Sequence, residues 1–146
     1  MRICIVYLSR FGHNRRVAET LTSYFREKGF EVYTYSHSEI RRIAMLDARL
    51  YVFCSPTRFG KPASRMARYL WWVTIDEADA WYGLITTHFK PKNTVIKRLS
   101  AILDRKGLRS VNEGLALKVS GVKGPLESGF EDKMKTFAHS CVEAIS

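Results

Sequence analysis

Cys4-Ile5-Val6-Tyr7-Leu8, followed at once by Ser9-Arg10-Phe11-Gly12-His13-Asn14, decides how the chain is read. The first five residues form an apolar run with β-branched and aromatic side chains, as expected of a strand covered on both faces. The run stops in a polar loop with one glycine. Val17, Ala18, Leu21 and Phe25 then recur at helical spacing. Strand, short loop and helix in this order turn backbone N–H groups and a helix N-terminus toward one spot, which suits an anion.

Working outward, the first strand is expected over residues 2–8 and the first helix over about 14–28, with Gly29 as its stop. Residues 31–35 alternate polar and apolar, as in a strand with one more exposed face. A short helical piece is expected over 38–45, capped by Ser38 and using Ile40 and Ile43. Residues 50–54 are a second strongly apolar strand, ending in the turn Ser55-Pro56-Thr57-Arg58-Phe59-Gly60-Lys61-Pro62. A third helix over about 63–73 points Met66, Leu70 and Val73 inward. A fourth strand over 81–86 leads into Thr87-His88-Phe89-Lys90-Pro91-Lys92. A helix from about Asn93 to Gly107, a strand over 114–119 and a helix over 131–145 complete the chain.

Strand and helix alternate five times, which implies an α/β domain with parallel strands and right-handed helical crossovers on both faces of one sheet. Ligands of such sheets sit beyond the C-terminal strand ends, where all three polar loops fall. A receiver domain is excluded. It needs an acidic pair after the first strand and an Asp ending the third, where Ser9 and Ser55 stand.

At 146 residues one domain is expected, large enough for a core without disulfides. The hydrophobic fraction of 46% and charged fraction of 26% are those of a soluble globular chain. No apolar run has the length of a membrane span, and residue 1 leads directly into a strand, so a cytoplasmic location is expected. Cys4, Cys54 and Cys141 form no C-x-x-C pair and are read as buried free thiols without a metal or redox role. The net charge of +10 favours anionic partners without choosing among them.

With the loops placed, Ser9-Arg10-Phe11-Gly12-His13-Asn14 resembles the phosphate loop of the flavodoxin superfamily, and Ser55-Pro56-Thr57-Arg58-Phe59-Gly60 its second flavin-contacting loop. The Pro-Thr-Arg-Phe-Gly string and the Gly12-His13 pair are most similar to flavodoxin-like NAD(P)H:quinone oxidoreductases of the tryptophan-repressor-binding-protein type. The resemblance runs through the chain in element order. It implies a flavodoxin-like three-layer sandwich with a five-stranded parallel sheet of order 2-1-3-4-5, and non-covalent flavin mononucleotide (FMN) as cofactor. It further implies electron transfer, with NAD(P)H and a quinone-like acceptor or an acidic redox protein as partners.

FMN carries one dianionic phosphate, which Ser9, Asn14 and the amides from Arg10 to Asn14 would hold. The turn Thr57 to Gly60 would meet the isoalloxazine edge, and Arg58 or Phe59 would cover a ring face. Thr86, Thr87, His88 and Phe89 take the third contact position by place alone. That loop lacks both the Gly-rich run of the quinone reductases and the acidic-tyrosine pattern of electron carriers, and the reductases' long insertion is missing.

Arg10, Arg15, Arg16, Arg58, Lys61, Arg65, Lys90 and Lys92 are expected to ring the ligand edge, unlike the acidic rim of carrier flavodoxins. Trp71 and Trp72 cannot both share the inward stripe of the third helix, which suggests homo-oligomerisation through it. His37 and His139 look incidental. No nucleic-acid module or dense basic helix is present, so nucleic acid is not the expected partner. The competing reading is a flavodoxin-like scaffold without flavin, acting as an interaction module through its basic surface.

Overall fold

Alternation within the strands divides the molecule into layers. The computed structural model describes residues 1–42, 45–58, 61–77, 79–89, 94–121 and 124–146. In β1 (Arg2–Tyr7), Ile3 and Ile5 face one core and Cys4 and Val6 the other. In β3 (Leu50–Arg58), Leu50, Val52 and Cys54 are set against Tyr51 and Phe53 in the same way. Each strand therefore buries both faces, which is why these runs read as almost continuously apolar.

The first core is closed by α1 (His13–Glu27) and α5 (Phe130–Ile145), through Val17, Leu21, Phe25, Met134 and Phe137 among others. The second is closed by α2 (His37–Ile40), α3 (Ser64–Trp72) and α4 (Thr94–Arg105), through Ile40, Met66, Leu70, Leu99 and Leu103. Fully burying one such side chain is worth about 1.5–3 kcal/mol, so the two cores carry most of the stability. Cys4, Cys54 and Cys141 are buried free thiols within them.

The sheet has the expected order 2-1-3-4-5. β2 (Glu31–Ser36) and β3 flank β1, and β5 (Trp81–His88) pairs with β3, all in parallel. The fifth position differs from expectation because it is split. β6 (Arg109–Ser110) pairs with the start of β5, and β7 (Leu115–Lys118) with its end. Residues 111–114 stand opposite only Gly83 and Leu84, so the edge strand bulges. Asn112 holds the bulge, its Oδ1 accepting from Gly114 N–H at 2.8 Å.

Two local expectations are corrected. The cap of α2 is Ser36, not Ser38: its hydroxyl accepts from Glu39 N–H while the Glu39 carboxylate accepts from Ser36 N–H, a reciprocal capping box. Ile43, assigned to that piece, lies outside the described residues. Moreover, the turn expected at residue 55 does not start there. β3 continues through Ser55 and Pro56, which register with Thr86 and Thr87, and its end pairs antiparallel with β4 (Lys61–Pro62). A proline is tolerated here because the strand is leaving the central sheet.

Met66 and Leu70 are fully buried on α3, whereas Trp71 and Trp72 are both exposed. Among the described residues, no helix is long and apolar enough to cross a membrane.

Candidate functional site at the C-terminal sheet edge

The first loop leaves β1 beside β3, with Leu8 N–H donating to Cys54 C=O at 2.9 Å. It turns through Gly12, whose φ of +90° is a left-handed conformation that a side chain would strain. The Gly12 N–H donates to Ser9 Oγ at 3.0 Å, so this amide is spent inside the loop while the Ser9 hydroxyl keeps its own proton to donate. Gly12 then begins α1 without a side-chain cap, and the first turn contains no acidic residue. The positive end of the helix is thus left without a side-chain countercharge from its own turn.

Asn14 is the key side chain of that turn. It is buried, and its Nδ2 donates to Thr87 Oγ1 at 3.1 Å, tying the first loop to the end of β5. Its Oδ1 is buried and has no hydrogen-bond partner among the described residues. The two ends of the amide have the same shape, and the Thr87 hydroxyl donates as readily as it accepts. Turned by 180°, Asn14 keeps the bond through Oδ1 and presents an N–H instead, the group a phosphate oxygen requires.

The other assigned residues fall into two groups. Ser55, Thr86 and Thr87 are buried in the ladder, with Ser55 Oγ donating to Pro56 C=O at 3.2 Å. Pro56 and Thr57 are half-buried at the end of β3, and the backbone of Arg58 pairs with Lys61. At the rim, Arg10 and Phe11 are exposed, with the Arg10 guanidinium 5.3 Å from the Phe11 ring centre. His13 is half-buried in the first turn of α1, and Phe89 is exposed just past β5. Phe59 and Gly60 lie outside the described residues, as do Lys90 and Lys92 of the basic rim. The rim is partly neutralised: Arg15 pairs with Glu19 at 3.0 Å and Arg16 with Glu131 at 3.9 Å.

His88 has surroundings that its sequence neighbours do not announce. It is buried at the end of β5, its Nδ1 has no hydrogen-bond partner among the described residues, and its C=O accepts from Val119 N–H at 2.9 Å. Beyond β7 the chain doubles back through an antiparallel bridge between Val119 and Leu126, bringing Glu127 against Lys118. Glu127 accepts from Lys118 N–H at 2.7 Å and from Lys133 Nζ. Burial lowers the His88 pKa, Lys118 and Lys133 lower it further, and Glu127 opposes them. Burial alone would raise the Glu127 pKa, but the Lys133 and Lys118 hydrogen bonds, with the Lys133 and His88 charges, bring it below the usual range. Burial thus biases His88 toward the neutral imidazole.

No family model matches the chain, and no curated protein matches it. Solved structures do. A flavodoxin from the domain Archaea aligns with a TM-score of 0.80 at 14% identity, covering 99% of each chain. Oxidised flavodoxin 1 from Bacillus cereus aligns with a TM-score of 0.79 at 14% identity over 100% of both chains. Rubredoxin oxygen:oxidoreductase from Desulfovibrio gigas aligns with a TM-score of 0.75 at 20% identity, over 99% of this chain and 36% of that one. Identities this low speak to architecture. The chain has the fold of the flavodoxins and of one part of a larger oxidoreductase.

Proposed function

We propose that the chain binds FMN non-covalently at the C-terminal sheet edge and uses it for electron transfer. The observation that carries this reading is the buried Asn14–Thr87 bond. It joins the first loop to the end of β5 and leaves an amide atom without a partner among the described residues, in the first turn of an uncapped helix. A buried polar atom without a partner is costly unless a ligand completes it.

The residues present fit the cofactor. The phosphate would be held by the Ser9 hydroxyl, the Asn14 amide and the backbone N–H groups of Arg10, Phe11, His13 and Asn14. Gly12 leaves room, since among the described residues no atom beyond its two chain neighbours stands within 4 Å of where its Cβ would be. Thr57, Arg58, Phe59 and Gly60 would line one side of the ring, continuing from Ser55 and Pro56. Thr86, Thr87, His88 and Phe89 would line the other, where the exposed Phe89 ring would cover a flavin face. Bound flavin supplies one- and two-electron redox chemistry, and the protein supplies its orientation and electrostatics. A neutral His88 adds a polar group at the ring side without adding a second positive charge.

The basic rim supports a finer reading, NAD(P)H-dependent reduction of a quinone or similar small acceptor, because it attracts a phosphorylated or anionic reactant. Titration of FMN followed by quenching of its fluorescence tests cofactor binding, with one site per chain expected. Consumption of NADPH in the presence of a quinone then separates a reductase from an electron carrier. A chain that takes no FMN at micromolar concentration would instead be a flavin-free scaffold.

A further inference from the structure

A groove of about 770 Å³ runs between α2 and α3, lined by none of the loop residues Ser9 to Asn14. Its size suits a small organic ligand. One wall is a single stripe of α3: Arg65, Arg68, Tyr69 and Trp72 lie at i, i+3, i+4 and i+7, on one helix face. Across from them stand His37 and Arg41, with Ile40, Met45 and Val73 completing the lining. The arginines are exposed, and none of the three forms an ion pair among the described residues. Burial, then the charges of Arg41 and Arg65, lower the pKa of His37, which places both guanidinium groups near its ring.

The aromatic end is equally unspent. Trp71 is stacked by the Arg105 guanidinium 5.7 Å from its ring centre, whereas Trp72 is 81% exposed and has no ring contact among the described residues. Tyr69 lies edge-on to His37, with ring centres 5.9 Å apart. From Arg65 to Trp72 the helix rises about 10 Å, at 1.5 Å per residue. A planar base on Trp72 with a phosphate chain running toward Arg68 and Arg65 matches that order of groups. Asp76, the one carboxylate among the described lining residues, follows Trp72 in the chain, at the end where sugar hydroxyls rather than phosphates would meet it.

We infer that the groove between α2 and α3 is a second ligand site, for a free nucleotide whose base stacks on Trp72 and whose phosphates meet Arg41, Arg65 and Arg68. Its lining contains none of the described residues of the loop cluster, and the site does not rest on flavin binding. A second copy of the chain seated on Trp72 would not account for the arginines facing each other across the groove.

Calorimetric titration with ADP, pyrophosphate and adenosine tests the inference, with circular dichroism as the check on folding. ADP is expected to bind one site more tightly than either fragment. Arg65→Gln with Arg68→Gln should weaken ADP and pyrophosphate about tenfold or more. Trp72→Ala should weaken ADP about tenfold while leaving pyrophosphate unchanged. Gly12→Val, in the loop cluster, should leave ADP affinity as it is. The inference is overturned if ADP fails to bind at millimolar concentration, or binds equally well to the arginine double variant. It is also overturned if Gly12→Val removes ADP binding, if only a single-stranded oligonucleotide binds, or if sedimentation shows dimers that bury Trp72.

Discussion

A few single residues set the strictest conditions on this molecule. Gly83 sits in β5 where an added Cβ would stand 2.8 Å from Phe137 Cζ and 3.3 Å from Val111 Cγ2. Gly83→Ala should therefore destabilise the protein by about 1–3 kcal/mol, read as a lower urea midpoint, because Phe137 of α5 must move. Thr87→Val keeps the shape but removes the partner of a buried amide, and should cost about 1–3 kcal/mol while also weakening FMN. The thiols make a third case. Burial pushes Cys4 and Cys141 up to about 12, and Cys54 higher still. None of the three should react with a maleimide at pH 7 in the folded protein, and all three should react in guanidinium; labelling of the native chain would contradict this. The burial of these cysteines was readable from their places in apolar patterns. The Asn14–Thr87 bond was not, because nothing local relates residues 73 positions apart.

At the scale of elements, periodicity carries far where one side of an element is decided by packing. The strands and the four long helices fall within a few residues of their expected places, since their apolar positions have only one buried arrangement. Expectation fails where hydrogen bonding, not hydrophobicity, sets the boundary. Ser36 caps α2 because the Ser36–Glu39 pair satisfies both backbone donors, and Ser38, two residues on, has the same chemistry in the sequence. The strand expected over residues 114–119 forms as β7, and the short β6 before it has no counterpart in the expectation because Asn112 turns the chain within the edge. Ser55 and Pro56 look like turn residues, yet Thr86 and Thr87 of the neighbouring strand hold them in register. The stripe Arg65, Arg68, Tyr69 and Trp72 is present in the sequence as a helical face, but the apolar stripe of Met66 and Leu70 is the stronger periodic signal on the same helix.

For the whole molecule, charge and protonation give a directional test. His88 and His37 have pKa values below the ordinary 6.5, so the unfolded chain binds their protons more readily than the folded one. Stability from these groups is full above about pH 6.5 and is lost as the pH falls through the lowered folded values. Glu39 and Glu127, also lowered, extend the loss below the ordinary 4.5. The urea midpoint should therefore fall between pH 7 and pH 5, and His88→Gln should make that fall shallower; an unchanged slope would remove His88 from the account.

The first loop meets the end of β5 through the Asn14–Thr87 bond, and the fold that carries both is that of the flavodoxins. Gly12→Val tests what they hold. A φ of +90° makes the substitution cost about 1–2 kcal/mol, and with no atom beyond its two chain neighbours within 4 Å of the new Cβ among the described residues, the fold should survive. The decisive measurement is FMN titration of the wild-type chain and of Gly12→Val side by side, by fluorescence quenching. The expected result is one FMN per wild-type chain at micromolar affinity or tighter, and none for the folded variant. No binding to the wild type, or equal affinity in both, would contradict the assignment of this edge as a flavin phosphate site.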